Sequence, residues 1–350
     1  MSSSISTSEP SGWRRALSRY AAACVAVGGL VAALLLAIDP YDTGRLAVFD
    51  GFGVPASLGP SLAKASIGRQ PDAEAGIVGN STIQLVDPAR VGAATGLRFV
   101  SLSVAGTGPD EQMAVARWFL RHHPNGAANA PKAMVFSVDR IWCQADGRLV
   151  PPNPFPFWLY SASFFDYAVN MLRLKTFEAV DRKLKLMLGR APAWPADGYR
   201  DYDTGHVWTR EAAERALNEP ERSGSPSDPP DFAGVRRLHA LLDELPAATD
   251  VVLVFPPRFR ASLPPAGSVA ERLETACKAA FRDLAAVRAR TAVVDLAVDG
   301  EIARDERNFW ESTHYRQPVA RAVEGQIAGA IGALRSAARN DHLAVTLAGR

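Results

Sequence analysis

Two short segments far apart in the chain carry the residue types of a serine nucleophile and its base. Ser81 follows the apolar run AGIVG (75–79) after one intervening asparagine, and Glu311 stands three residues before His314. A serine hydroxyl becomes a strong nucleophile when an imidazole takes its proton, and a carboxylate orients that imidazole and stabilises its cation. The two segments therefore predict a Ser81–His314–Glu311 triad.

Such a site also needs hydrogen-bond donors for the oxyanion that forms during acyl transfer. Ser81 is predicted at a strand-to-helix turn, where its own backbone N–H can point at the oxyanion. A second apolar run, 97–106, ends at Gly106, and the lack of a side chain lets the Gly106 N–H approach the same oxygen. Arg140, which follows a third run at 131–139, is a further candidate donor.

Each of these residues also has an ordinary structural interpretation. Ser81 can be the N-cap of the helix predicted after it, because serine is a favoured cap. His314 can be a structural histidine tied to its turn, and Glu311 can be a solvated loop acid. Arg140 can belong to a salt-bridged strand end.

The elements that must position these residues are predicted by the hydrophobic pattern. Near-continuous apolar runs alternate with amphipathic helical patterns, which is typical of a parallel sheet covered on both faces. The runs lie at 75–79, 97–106, 131–139, 250–257 and 291–298. We therefore predict an α/β fold, a flavodoxin-like three-layer α/β/α sandwich with a parallel sheet. Ligands of such sheets bind at the carboxyl ends of the strands, where Ser81 is expected.

An aromatic-rich insertion, 142–232, interrupts this alternation. It is interpreted as a cap over the sheet, with an aromatic wall on which sugars could stack. The alternative is a peripheral subdomain whose aromatic side chains are simply its core. Candidate substrate contacts are His206 and Trp208 in the insertion, together with Asn80 beside Ser81.

One apolar segment predicts a membrane anchor. Residues 21–38 form an uncharged stretch long enough to cross a bilayer as a helix, and Arg14, Arg15 and Arg19 precede it. The positive-inside rule then predicts a cytoplasmic N-terminus. A cleaved signal peptide is the alternative, but the stretch ends in LLLAIDPYD, a poor cleavage site. We predict a single-pass protein of the inner (cytoplasmic) membrane with its body on the periplasmic side.

The whole-chain composition excludes several classes of protein. Of 350 residues, 47% are hydrophobic and 22% are charged, as in ordinary globular proteins. The net charge of +2 gives no support for nucleic-acid binding. The three cysteines, Cys24, Cys143 and Cys277, allow at most one disulfide outside the apolar stretch, and no zinc-binding spacing occurs. No metal and no organic cofactor is predicted.

These features divide the chain into seven segments. They are a cytoplasmic tail (1–20), the transmembrane anchor (21–38), a tether (39–72), the first part of the α/β domain (73–141), the insertion (142–232), the second part of the α/β domain (233–336) and a tail (337–350). The predicted triad is split between the two parts of the α/β domain, with Ser81 in the first and its partners in the second.

The catalytic segments resemble sequence blocks of a known family. Gly79-Asn80-Ser81 resembles the GDS block of the SGNH (GDSL-like) hydrolase superfamily. Gly106 stands where that family has its second-block glycine, and Glu311-Ser312-Thr313-His314 resembles its DxxH block. The resemblance covers roughly residues 73–140 and 250–335.

Three positions depart from the family pattern. Asn80 replaces the aspartate before the nucleophile, and Glu311 replaces the triad aspartate. The oxyanion asparagine of the third block is not evident in FSVDRIWC, where Asp139 and Arg140 stand.

The resemblance implies a serine esterase or O-acyltransferase. A single anchor ahead of an SGNH-like body is similar to the membrane-anchored proteins of polysaccharide O-acetylation and of teichoic-acid D-alanylation. This likeness implies an O-acetyl group, a cell-envelope or extracellular polysaccharide as substrate, and a membrane-bound O-acyltransferase as partner. The departures motivate an alternative, a catalytically inactive scaffold that binds glycan or such an acyltransferase.

Overall fold

A parallel sheet forms the centre of the molecule. The computed structural model describes residues 10–46, 48–49, 51–144, 154–205, 207–211 and 232–348. The strands are β1 (Ala75–Val78), β2 (Phe99–Ser101), β3 (Ala133–Ser137), β4 (Asp250–Phe255) and β5 (Thr291–Asp295). They pair in parallel in the order β2-β1-β3-β4-β5, which confirms the predicted α/β fold. Every residue of β1 to β4 is buried, and all of these residues except Ser101, Ser137 and Asp250 are apolar.

Helices cover both faces of this sheet. Those in the described residues are α1 (Pro10–Ile38), α2 (Pro60–Ile67), α3 (Pro88–Thr95), α4 (Pro109–His122), α5 (Phe157–Tyr160), α6 (Phe164–Met171), α7 (Leu174–Met187), α8 (Ala233–Asp243), α9 (Val269–Val287), α10 (Glu301–Arg304) and α11 (Gln317–Ala348). One core lies between the sheet and α4, α8 and α9, and includes Phe119, Leu238 and Phe281. A second core lies between the sheet and α3 and α11, and includes Val91 and Ile327.

The helix α1 contains the predicted anchor. From Gly12 to Ile38 it is long and apolar enough to cross a membrane, and only 6% of its most apolar window is buried. Its C-terminal end differs, because Leu35 is buried in the first core. The C-terminal end of the candidate spanning helix therefore packs into the core of the globular body.

Two segments described above as a tether and a tail contain regular structure. The segment 39–72 includes α2, and its Tyr41, Val54 and Leu58 are buried in the first core. The segment 337–350 continues α11 as far as Ala348. The first of these segments therefore packs as part of the body.

The described part of the insertion lies in two places. Its helices α6 and α7 pack against α1, while α5 packs against α2 and α4. Further along the chain, Tyr202 and Trp208 pack against the second core. The helices α6 and α7 thus lie beside α1, and α5 contacts α6.

Candidate active site

The first predicted segment forms a tight loop at the carboxyl end of β1. A Cβ on Gly79 would come within 2.6 Å of Ser137 Cβ and 2.7 Å of Ile83 Cγ2, so only glycine fits there. Residues 81–85 form turns, and the Ser81 side chain is half-buried. The glycine therefore lets the Ser81 loop pack directly against β3.

Ser81 does not cap a helix. The helix α3 begins only at Pro88, and its N-cap is Asp87, whose carboxylate accepts a hydrogen bond from Ala89 N (2.7 Å). The turn after β1 is thus longer than the sequence predicted, and the capping interpretation of Ser81 is wrong.

Asn80 holds the Ser81 loop together through both ends of its carboxamide. Its Nδ2 donates to Asp139 Oδ2 (2.5 Å), and its Oδ1 accepts from Thr82 N (3.0 Å) and Thr82 Oγ1 (2.8 Å). Burial raises the pKa of Asp139, although hydrogen bonds from Asn80 and Ile141 N oppose this effect. An aspartate at position 80 would face a second carboxylate, whereas asparagine supplies a donor. The asparagine at position 80 therefore has a local physical reason.

The second predicted segment folds into a loop around the Glu311 carboxylate. Glu311 Oε1 accepts hydrogen bonds from His314 N (2.6 Å) and Thr313 N (3.2 Å), and it also contacts His314 Nδ1. Burial disfavours the charged form, but the hydrogen bonds and the charge of His314 outweigh burial and lower the pKa of Glu311 to about 2. An anionic Glu311 bonded to Nδ1 orients the imidazole and leaves Nε2 to act as the base.

Residues of the insertion hold the Glu311 loop in place. The Tyr202 ring packs edge-on against the His314 ring, with 5.9 Å between their centroids. The buried Asp203 accepts hydrogen bonds from Trp310 Nε1 (2.8 Å) and Gln317 N (2.9 Å). Tyr202 and Asp203 were not predicted as site residues. Their only signal is the density of acids and aromatics in the stretch DYDTGH.

A cavity of about 250 Å³ lies between the two loops at the carboxyl ends of the strands. Ser81 lines it from the first loop, and Thr313, the neighbour of His314, lines it from the second. Although the structure describes both residues, no hydrogen bond joins the Ser81 hydroxyl to the His314 imidazole, whose Nδ1 contacts Glu311. Neither His314 nor Glu311 is among the residues that line the cavity. Catalytic hydrogen bonds often tighten only when substrate binds.

The predicted oxyanion donors differ in their relation to this cavity. Arg140 lines it, at the start of the 3₁₀ helix Arg140–Cys143 that follows β3. The disulfide Cys143–Cys277, which the sequence left open, ties this 3₁₀ helix to α9. Gly106 lies in an exposed turn with φ of 71° and is not among the residues that line the cavity. Its left-handed backbone conformation alone accounts for a glycine there.

The remaining lining combines an apolar wall with a buried ion pair. Phe255 and Pro256 form part of the wall where β4 ends. The buried Arg258 donates from Nη2 to both carboxylate oxygens of Glu274 at 2.7 Å. Lys278 Nζ lies 3.4 Å from the same carboxylate. These residues were not predicted as site residues, although Arg258 follows directly on the predicted run 250–257.

Of the two substrate contacts predicted in the insertion, the structure describes only Trp208. His206 lies outside the described residues. Trp208 is half-buried against the second core, and it is not among the residues that line the cavity. Its indole N–H is buried without a hydrogen-bond partner in the described part of the chain.

The cavity gathers a serine, two carboxylates and two guanidinium groups beside the His314 loop. In the ranges that the structure describes, no group of three or more His, Cys, Asp or Glu side chains could hold a metal ion. A scan against protein-family models and a search of curated proteins both find no match. What the chain does must therefore be inferred from its fold and from the geometry of this cavity.

Proposed function

We propose that the protein is a membrane-anchored, SGNH-like serine esterase or O-acyltransferase. Its substrate would be an acyl ester, with acetyl as the acyl group, of a cell-envelope or extracellular polysaccharide. The observation that carries the proposal is the oriented Glu311–His314 pair on a loop beside the cavity that Ser81 lines. The cavity lies where folds of this class bind ligands. The choice of polysaccharide and of acetyl rests on the family resemblance alone.

In the proposed reaction, Ser81 Oγ attacks the ester carbonyl while His314 Nε2 takes its proton. Glu311 keeps the His314 ring oriented and stabilises the imidazolium. The Ser81 N–H and Arg140 stabilise the oxyanion. Collapse of the tetrahedral intermediate passes the proton to the leaving alcohol and forms an acyl-serine. Water or a sugar hydroxyl, deprotonated by His314, then takes the acyl group and regenerates Ser81.

The proposal includes a location for this chemistry. The helix α1 would cross the inner membrane once, and the arginines before it favour a cytoplasmic N-terminus. The Cys143–Cys277 disulfide supports a periplasmic body, because disulfides persist in oxidising compartments. A membrane-bound O-acyltransferase is the proposed partner that would supply acyl groups.

A second candidate function is a non-catalytic scaffold that binds glycan or the acyltransferase. Two observations favour it. Although both residues are described, no hydrogen bond joins Ser81 to His314, and the carboxamide of Asn80 is committed to the loop. In a scaffold, Ser81 would have the low reactivity of an ordinary serine.

Covalent labelling separates these two functions. We would incubate the full-length protein in detergent micelles with a fluorophosphonate probe and weigh it by intact mass spectrometry. One adduct is expected on the wild type, and it should be lost in Ser81→Ala and in His314→Ala. The matched controls Ser57→Ala and His239→Ala change exposed residues and should label like the wild type. A folded wild type that stays unlabelled would favour the scaffold.

A further inference from the structure

The chain that leaves α1 is fixed to the insertion by buried polar contacts. Tyr167 Oη donates to Asp39 Oδ1 (2.8 Å), Tyr41 Oη donates to Thr176 Oγ1 (3.4 Å), and Lys183 Nζ pairs with Asp42 Oδ1 (3.3 Å). The partners on the insertion side belong to α6 and α7. These two helices are therefore held rigidly at the point where the candidate spanning helix ends.

This junction sets the height of α6 and α7 relative to a bilayer. Both helices pack against α1, and packed helix axes lie about 8–10 Å apart. Leu35, near the end of α1, is buried by the body, whereas Leu30 is exposed. If α1 spans the membrane, α6 and α7 lie within about one helix diameter of the membrane surface.

The outer face of α6 is apolar. Tyr167 and Met171 are buried and point to the body. On the opposite face, Phe165, Val169 and Leu172 follow one another at helical spacing, and Phe165 is 75% exposed. Side chains of this size seldom form an exposed row on a soluble protein unless something covers them.

The exposed face of α7 is divided lengthwise into an apolar and a charged edge. At 100° per residue, the apolar edge consists of Leu174, Phe177, Leu184 and, just past the helix end, Leu188. The charged edge consists of Lys175, Glu178, Arg182 and Lys185. On the same projection Asp181 lies within the apolar edge, between Leu188 and Leu174, and its charge is paired with Lys185 Nζ at 2.6 Å. This division is typical of a helix that lies in the plane of a membrane interface.

We propose that α6 and α7 lie on the bilayer surface next to α1, with their apolar side chains in the boundary between headgroups and acyl chains. The occupant of this exposed face is lipid, because the face is continuous with the candidate spanning helix. The insertion thus holds the body in one orientation on the membrane. This inference rests on the proposed membrane span of α1 and not on the proposed chemistry.

Spin-label accessibility in the full chain tests the proposal. In a Cys24→Ala background that keeps the disulfide, single cysteines would replace Phe165, Leu174 or Leu188, and each protein would be reconstituted in phospholipid nanodiscs. Collision rates of a nitroxide label with oxygen, which concentrates in lipid, would be compared with those for a water-soluble nickel chelate. Leu30→Cys in α1 supplies the lipid reference.

Two control positions give the oxygen-to-nickel ratio expected at exposed surfaces that do not face lipid. Glu178→Cys lies on the charged edge of α7, and Val287→Cys is an apolar position on α9 that is 72% exposed. We expect the oxygen-to-nickel ratio at 165, 174 and 188 to be several-fold higher than at both controls and to approach that at position 30. Ratios equal to that at Val287 would overturn the proposal. Protection from both reagents at 165, 174 and 188 would also overturn it, since a protein partner or a second copy would then cover the face.

Discussion

The two loops of the candidate site are each built around a carboxylate that accepts hydrogen bonds, yet the two carboxylates differ. Burial raises the pKa of Asp139 beneath the Ser81 loop, whereas hydrogen bonding outweighs burial and lowers the pKa of Glu311 to about 2. Both side chains are half-buried, but Asp139 lies against a neutral carboxamide and Glu311 against an imidazole. The comparison indicates that Asp139 fixes the shape of its loop and that Glu311 keeps a charge beside His314.

Removal of the Glu311 charge should have the largest effect. In Glu311→Gln the side chain keeps its shape but no longer stabilises the imidazolium. We therefore expect hydrolysis of 4-nitrophenyl acetate to slow by about 10³–10⁴-fold. Glu178→Gln, at an exposed position on α7, is the matched control. A Glu311→Gln rate within about tenfold of the wild-type rate would mean that this carboxylate is not part of the machinery.

Removal of the disulfide should destabilise the Ser81 side of the site. The Cys143–Cys277 bridge joins residues 134 positions apart and holds the 3₁₀ helix that begins at Arg140. Cys143→Ser combined with Cys277→Ser should lower the free energy of unfolding by about 2–5 kcal/mol. Urea unfolding followed by tryptophan fluorescence measures this change, with Cys24→Ser as the control. An unchanged free energy of unfolding would show that the disulfide does not stabilise the Ser81 side of the site.

A carboxylate at position 80 should convert the Asn80–Asp139 hydrogen bond into a repulsion. We expect Asn80→Asp to cost about 1–3 kcal/mol of unfolding free energy at neutral pH. The loss should shrink on acidification, because the paired acids can then share a proton. Adding Asp139→Asn exchanges donor and acceptor and should recover most of the stability. A double variant no more stable than Asn80→Asp would contradict the structural role given to this pair.

The charge of Glu311 should also contribute to the free energy of unfolding, and this contribution should be lost at low pH. Its pKa is about 2 in the folded state against an ordinary 4.5, so its contribution is complete above 4.5 and is lost as the pH falls toward 2. The side chain is 35% exposed, and solvent screening limits the effect to about 1 kcal/mol. The stability difference between wild type and Glu311→Gln should therefore shrink across this window. If this difference in stability stays constant with pH, the charge of Glu311 does not stabilise the fold.

The parts of the molecule that could be predicted from the sequence are those with a local pattern. The runs 75–79 and 250–257 predict strands because burial on both faces requires continuous apolar sequence. Glu311 and His314 could be paired because they are three residues apart in one loop. The position of Ser81 directly after a strand could also be predicted, because it depends only on neighbouring residues.

The contacts that complete the site are long-range, and spacing carries no information about them. Asn80 meets Asp139 across 59 positions, and Tyr202 reaches the His314 ring from within the insertion. The aromatic density of the insertion indicated large buried or covered surfaces. It could not indicate that α6 and α7 pack beside α1, because that depends on where the chain emerges from the spanning helix.

The proposed triad requires Ser81 and His314 to act as one unit, although no hydrogen bond joins these two described residues in the structure. The most direct test measures the rate of 4-nitrophenyl acetate hydrolysis by the wild type, Ser81→Ala, His314→Ala and the double variant. Groups that act as a unit lose rate non-additively, so each single variant should be as slow as the double. If His314→Ala keeps most of the wild-type rate, or if the two losses multiply in the double variant, Ser81 works without His314 and the triad is wrong.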